Sequence, residues 1–144
     1  MKVYLAYQFT DEDKDGVGSR LGRVRDALMN QRIGVKCPYF DVPAEQRARF
    51  SHKQMMMAGF GMMKNCDVVL ALQTSGRRSE GMLMEVGYAW GRGIPVIVAT
   101  HASVGSTNLP PMGQAQIAWE DDSELVQALQ NSEVLKLLGV TIPA

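Results

Sequence analysis

The sequence has 144 residues, a length typical of one domain that can bury enough apolar surface to fold without a disulfide or a metal. Lys plus Arg and Asp plus Glu each number 15, and the resulting net charge near zero argues against a dedicated binder of nucleic-acid polymers. No apolar run approaches the roughly 20 residues of a membrane span, so we expect no membrane partner. The cysteines Cys37 and Cys66 lack metal-ligand spacing and lie beside apolar runs, which predicts reduced thiols in a cytoplasmic protein.

Five segments predict β-strands. The N-terminal segment predicts a strand rather than a signal peptide. Three runs are mostly apolar, and DVVLALQ is the strongest of them. Two further segments are weaker, and the first of these ends near Pro38. In chain order the predicted strands are Val3–Phe9, Val35–Tyr39, Asp67–Gln73, Ile94–Thr100 and Ala115–Trp119.

Four segments between and after these runs predict helices, because their apolar residues recur at helical spacing. Gly34 and Gly93 are expected to end two of them. The alternation of strands and helices predicts an α/β fold, a doubly wound, flavodoxin-like or Rossmann-like parallel sheet of about five strands with helices on both faces. The three apolar strands should be central. The predicted helices are Gly16–Arg32, Glu45–Asn65, Ser79–Arg92 and Ser123–Leu138, and a loop covers His101–Gln114.

One carboxylate lies on an apolar helix face. Met82, Val86 and Ala89 form the stripe of the third helix, and Glu85 lies among them. A carboxylate in apolar surroundings is costly unless it is paired, and burial of this kind tunes the pKa of functional groups. The alternative is that Glu85 turns to the edge of the stripe and reaches solvent.

The start of the same helix suits an anion. Ser79 is a good N-cap, Gly81 lets a ligand approach the backbone, and Arg77 and Arg78 add positive charge. Glu85 lies roughly 9 Å further along the helix axis at 1.5 Å per residue, about the distance from a nucleotide 5′-phosphate to the sugar C1′. A serine that only caps the helix and solvated arginines are the alternative.

Ligands of open parallel sheets bind beyond the carboxyl ends of the strands, where the strand order reverses. Tyr7, Gln8 and Phe9 end the first predicted strand and should therefore face the same crevice. Tyr88 lies about one turn beyond Glu85 and either hydrogen-bonds its carboxylate or packs.

The segments DVVLALQ and SEGMLMEVGYAWGRGIPVIVA resemble the nucleoside 2-deoxyribosyltransferases and the related nucleoside 5′-monophosphate N-glycosidases. The opening MKVYLAYQF is also similar to the first strand of that family, so the resemblance implies one domain of this type over residues 1–144. It implies that Glu85 is the catalytic nucleophile and that Ser79 and Gly81 face a 5′-phosphate, because transferases acting on free nucleosides usually have Asp at the Ser79 position. It also implies that Asn108 serves the site of a neighbouring subunit.

The sequence departs from the family at Gly59, where an Asp that orients the nucleophile or assists proton transfer is common. Tyr7 and Gln8 also stand where the family often has Gly-Pro-like residues. The first departure puts catalytic competence in question, and the second blurs the base specificity.

The reaction that the resemblance implies is retaining glycoside chemistry: Glu85 attacks the anomeric carbon, and water or a second base resolves the glycosyl-enzyme. It requires no metal and no redox cofactor, and the ligand is a small nucleotide or nucleoside. Three alternatives stay open: a transferase exchanging bases on free deoxynucleosides, a non-catalytic nucleotide-binding module, and an NAD glycohydrolase. The Met-rich helix Glu45–Asn65 and the loop around Asn108 predict contacts in a homodimer or higher homo-oligomer.

Overall fold

A computed structural model describes residues 1–8, 14–105, 107–130 and 136. Its five strands form one parallel sheet in the order β2-β1-β3-β4-β5. The three apolar runs occupy the centre, as predicted, because strands covered by helices on both faces must be apolar throughout. The strands are β1 Lys2–Tyr7, β2 Gly34–Lys36, β3 Val68–Gln73, β4 Val96–His101 and β5 Ala115–Trp119.

Six α-helices and a 3-10 helix at Pro110–Met112 connect and follow the strands in the described residues. They are α1 Lys14–Met29, α2 Pro38–Asp41, α3 Ala44–Arg49, α4 His52–Met63, α5 Glu80–Gly91 and α6 Asp122–Gln130. None of the helices in these ranges is long and apolar enough to cross a membrane. The predicted end of the closing helix, to Leu138, falls largely outside the described residues.

The two faces of the sheet carry separate cores. On one face, α1 and α6 pack an aliphatic cluster that includes Leu5, Leu21 and Leu125. On the other face, α4 and α5 pack a cluster that includes Tyr4, Met63 and Met82. The doubly wound α/β prediction is confirmed.

The predicted helix Glu45–Asn65 is wrong as one element, because two helices, α3 and α4, replace it. Phe50 is extended, and Ser51 caps α4 in a reciprocal box with Gln54: the Gln54 N–H donates to Ser51 Oγ, and the Ser51 N–H donates to Gln54 Oε1. A capping box at Ser51 satisfies the free N–H groups of a new first turn, so it starts a helix inside the predicted one.

Two boundaries around β2 also differ from the prediction. The strand predicted at Val35–Tyr39 is only Gly34–Lys36, because Pro38 begins α2, and proline at a first helical position costs no hydrogen bond. Gly34 does not end α1. Arg32 takes the left-handed conformation with φ 63° after the helix, and Gly34 pairs with Lys2 in the sheet.

The strand order places a crevice between β1 and β3. From β1 the chain goes out to β2 on one side and returns to β3 on the other, so the connections leave the two adjacent strand ends in opposite directions. Gln8 follows β1 at this point, and the loop Thr74–Ser79 follows β3.

A candidate active site at the carboxyl ends of β1 and β3

A cavity of about 890 Å³ opens at this crevice. The end of β1 and the loop before α5 form its floor, and α2, α3 and the first turn of α4 form its opposite wall. Of the predicted site residues, the cavity brings together Tyr7, Gln8, Ser79, Gly81 and Glu85.

Helix α5 positions the two ends of the site. Ser79 is its N-cap, with an extended backbone and a hydroxyl oxygen that accepts from the Met82 N–H at 3.3 Å. Met82, Val86 and Ala89 are buried against the sheet, as the stripe predicted. Glu85 lies beside this stripe and lines the cavity, so its carboxylate does not turn away to solvent.

The Glu85 carboxyl group is desolvated. Its Oε2 is buried and has no hydrogen-bond partner among the described residues. Burial raises the pKa of Glu85, hydrogen bonding with the Tyr4 side chain lowers it in part, and the resulting pKa is about 7. The Oε2 atom remains without a partner among the described residues. A carboxyl group with this pKa exchanges its proton near neutral pH.

The buried amide of Gln8 holds the loop before α5. Its Oε1 accepts from the N–H groups of Thr74 at 2.7 Å and Ser75 at 3.0 Å, and from the Thr74 hydroxyl at 3.2 Å. Its Nε2 donates to the carbonyls of Arg77 at 3.1 Å and Ser75 at 3.5 Å. Gln8 therefore borders the cavity and fixes the approach to Ser79, with its amide fully used by the protein.

The helix start can receive an anion. Ser79 Oγ accepts from Met82, so its hydroxyl proton is available to another acceptor. A Cβ at Gly81 would only touch Met56 Sδ at 3.6 Å, an ordinary contact, so the space above this backbone is open. Lys14 and Arg78 also line the cavity.

The family model of nucleoside 2-deoxyribosyltransferases matches residues 3–128 of the chain. The chain belongs to this family. Its members bind small nucleosides or nucleotides and transfer or cleave their glycosidic bonds. No curated protein matches the chain in sequence.

Solved structures share the fold at low sequence identity. The CMP N-glycosidase of Clostridium botulinum is 19% identical with a TM-score of 0.66, covering 90% of this chain and 97% of that one. The 2-deoxyribosyltransferase of Bacillus psychrosaccharolyticus is 18% identical with a TM-score of 0.62, covering 95% and 96%. A conserved protein of Enterococcus faecalis V583 is 17% identical with a TM-score of 0.62, covering 90% and 96%. At these identities the likeness shows the fold alone.

At position 59, where the resemblance implies an Asp, this chain has a glycine, and the structure shows what surrounds it. A Cβ at Gly59 would lie 2.6 Å from the Tyr4 hydroxyl oxygen and 3.8 Å from Glu85 Oε2. The Tyr4 hydroxyl thus occupies the space into which a side chain at position 59 would project. A tyrosine from β1, not a group on α4, contacts the carboxylate.

Two further predicted residues do not line the cavity, and a third is not described. The Tyr88 ring stacks on Phe60 at 4.5 Å, and its buried hydroxyl has no partner among the described residues. Asn108 is exposed in the loop after β4, away from the cavity lining of this chain. Phe9 lies outside the described residues.

Sequence reasoning missed Tyr4, Tyr39 and Arg47. Tyr39 and Arg47 line the cavity wall opposite α5, and Tyr4 contacts Glu85 from below. Tyr4 carried a signal, since it points to the same face of β1 as Ala6 and lies in a strand next to β3. Arg47 carried none, because its direction depends on the break between α3 and α4.

A shallower depression of about 590 Å³ lies between α1 and α6. Asp122 on its rim is already paired with Arg20 at 3.0 Å and Arg23 at 3.3 Å. It contains none of the orphaned buried polar atoms of the described residues, whereas Arg47 and Glu85 of the larger cavity each have one.

Proposed function

We propose that this protein cleaves the N-glycosidic bond of a (deoxy)nucleoside 5′-monophosphate, with Glu85 as the nucleophile. The observation that carries the proposal is a desolvated carboxylate in the cavity, six residues along α5 from a helix N-terminus suited to an anion. One helix therefore presents a phosphate site and a reactive carboxylate at a spacing that fits one nucleotide.

The phosphate end is supported by Ser79. Its hydroxyl can donate to a phosphate oxygen, and the first N–H groups of α5 lie at the positive end of the helix dipole. An Asp at this position, expected in transferases acting on free nucleosides, would repel the phosphate. The serine therefore favours a monophosphate over a free nucleoside.

The proposed reaction has two steps. A Glu85 carboxylate oxygen bonds to C1′ as the C1′–N bond breaks, and the bonding electron pair leaves on the base, which takes a proton from water. Water then attacks C1′, the bond to Glu85 breaks, and the water loses a proton, giving free sugar phosphate and the carboxylate. The ionised form of Glu85 is the nucleophile, so its pKa of about 7 sets the pH range of activity.

A homo-oligomer is part of the proposal. Exposed apolar side chains lie on α4 and α5 and on the 3-10 helix, an arrangement typical of a protein interface. They are Met57, Leu83, Met84, Trp90 and Met112. We therefore expect these side chains, rather than the whole of the predicted helix Glu45–Asn65, to form the interface between subunits. Sedimentation of the protein at micromolar concentration tests it, and a monomer would contradict it.

The cytoplasm is the proposed location. Cys37 and Cys66 are both free and buried, as expected in a reducing compartment.

The decisive experiment is incubation of the protein with a mixture of nucleoside 5′-monophosphates, with the released bases measured by chromatography. Free base and sugar phosphate should appear in equal amounts. Rapid quenching and peptide mass analysis should detect a sugar-phosphate adduct on the peptide that contains Glu85. Release of base only when a second base and a free deoxynucleoside are present would instead favour the transferase, and no release from any substrate would favour a binding module.

A further inference from the structure

Arg47 is an incompletely satisfied cation in the wall of the cavity. It lies on α3, half-buried, with its guanidinium carbon 4.6 Å from the centre of the Tyr39 ring. Its side chain hydrogen-bonds with Tyr7, its Nε is buried without a hydrogen-bond partner among the described residues, and none of the ion pairs in the described ranges involves it. A guanidinium carries five N–H donors, so the hydrogen bond with Tyr7 leaves donors of Arg47 for a ligand in the cavity that this residue lines.

The surroundings of Arg47 are aromatic. Tyr39 lies edge-on to Tyr7 with ring centroids 6.2 Å apart, and both rings line the cavity. Burial raises the pKa of the Tyr7 hydroxyl, the charge of Glu85 raises it further, and the charge of Arg47 and its hydrogen bond lower it, so both groups act on Tyr7. The end of the cavity beyond Tyr7 is thus walled by two aromatic rings and a guanidinium.

The order of these groups assigns the end to one part of a nucleotide. With phosphate at Ser79 and C1′ at Glu85, the base extends past Tyr7 toward Tyr39 and Arg47. We propose that Arg47 reads the edge of the base and selects bases that present two adjacent hydrogen-bond acceptors, an assignment that rests on the proposed function. Cytosine offers O2 and N3, and guanine offers O6 and N7.

The selection follows from the chemistry of the guanidinium, which only donates. Adenine places an amino donor beside N7, and uracil places an N–H donor beside each carbonyl. In both bases one of two parallel guanidinium N–H groups would therefore face another donor. A bidentate arginine pair discriminates between bases by about 10- to 100-fold. Contact with a carbonyl of the departing base also places positive charge where the electron pair of the broken bond accumulates.

Binding tests the assignment without turnover. In the Glu85→Gln protein, dissociation constants are measured for CMP, GMP, AMP and UMP, and again after adding Arg47→Met. Met keeps an apolar stem over Tyr39 and removes all donors. Arg49→Met is the matched control, because Arg49 lies on the same helix, is exposed and does not line the cavity. The preferred nucleotide, CMP or GMP, should weaken by about 10- to 100-fold with Arg47→Met only, and AMP should change little.

Three results would overturn the assignment of Arg47 to the base. Equal weakening of all four nucleotides would show a phosphate contact, and so would an effect that disappears when the matching nucleosides replace the monophosphates. A parent protein that prefers AMP or UMP would also overturn it. Arg47→Lys keeps the positive charge but not the paired N–H donors, so it should fold and lose the preference for CMP or GMP. This variant replaces Arg47→Met in the test if Arg47→Met does not fold.

The assignment and the proposed reaction fail separately. If the parent releases no base but Glu85→Gln still prefers CMP or GMP through Arg47, only the catalytic proposal fails. If base release occurs with the same base preference in the parent and Arg47→Met, only the role of Arg47 fails. Absence of nucleotide binding altogether would refute both.

Discussion

Gln8 and Glu85 border the same cavity but differ in how far the protein satisfies their hydrogen-bonding groups. Gln8 is 5% exposed, and both atoms of its amide are hydrogen-bonded to the loop before α5. Glu85 has a buried carboxylate oxygen with no partner in the part of the chain that the structure describes. Buried polar groups are normally satisfied, so Gln8 is part of the scaffold, whereas the desolvation of Glu85 is a cost that the fold tolerates. An orphaned group beside a satisfied one marks where a ligand completes the structure.

Removing the charge of Glu85 should have the largest effect. The Glu85→Gln variant should lose at least about 10³-fold in base release, because an amide is a poor nucleophile. It should also be more stable than the parent at high pH. The folded pKa of about 7 lies above the unfolded value of 4.5, so the stability that this carboxyl group contributes when protonated is full below pH 4.5 and is lost as the pH rises through 7.

The shift corresponds to at most roughly 3 kcal/mol between pH 4.5 and pH 8. Thermal unfolding of parent and variant at pH 5 and pH 8 measures it, and the gain from Glu85→Gln should appear mainly at pH 8. Glu80→Gln makes the same change at an exposed position on α5 and should show no such gain. Equal stability differences for Glu85→Gln at both pH values would mean that the carboxylate is solvated in the folded protein.

Substitution at the phosphate end should have the second largest effect. Ser79→Asp keeps the helix cap but places a negative charge where the phosphate is proposed to bind. The kcat/KM for a monophosphate should fall by about 10- to 100-fold relative to that for the matching nucleoside, the worth of a hydrogen bond to a charged group. Steady-state kinetics with the two substrates gives this ratio.

Gly81→Ala is the companion variant. The protein has room for the added methyl group, which meets only Met56 Sδ at 3.6 Å, so a loss in monophosphate cleavage would report on the ligand and not on the fold. A monophosphate-to-nucleoside ratio unchanged in both variants would place the phosphate elsewhere and favour the transferase on free nucleosides.

Much of the fold was predictable from local pattern, because strands buried on both faces must be apolar and β1, β3 and β4 are. Glu85 was predictable for a similar reason, since helical spacing alone places it beside Met82 and Val86. The break at Ser51 was not recognised, although serine followed three residues later by glutamine is a capping signal. Tyr4 and Arg47 could not be assigned to the site, because their contacts depend on strand order and on that break.

Loss of the Gln8 amide should have a smaller effect than these. Gln8→Leu removes the partners of two backbone N–H groups, on Thr74 and Ser75, and should cost about 1–3 kcal/mol in unfolding free energy. Because the freed loop carries the approach to Ser79, KM for the monophosphate should rise several-fold while the pH dependence of kcat/KM stays that of the parent.

Gln73→Leu is the control for Gln8→Leu. Gln73 is equally buried at the end of β3 and bonds Thr107 and Thr100, but it does not line the cavity. It should lower stability without raising KM. If both variants raise KM alike, the effect of Gln8 is general destabilisation and not positioning of the loop.

The smallest expected effect is a displacement of the pH profile by Tyr4→Phe. Hydrogen bonding with Tyr4 lowers the pKa of Glu85, so its removal raises that pKa further above 7 and reduces the ionised fraction at neutral pH. A net hydrogen bond of about 0.5–1.5 kcal/mol corresponds to about 0.5–1 pH unit. The ascending limb of kcat/KM should move to higher pH by this amount, so activity is reduced at pH 7 and approaches the parent value at pH 9. Tyr88→Phe removes a buried hydroxyl that has no partner among the described residues and lies off the cavity, so its limb should coincide with that of the parent. A uniform loss of activity at every pH in Tyr4→Phe would show that Tyr4 shapes the site without changing the pKa of Glu85. Tyr4 would then belong with Gln8 to the scaffold of the cavity.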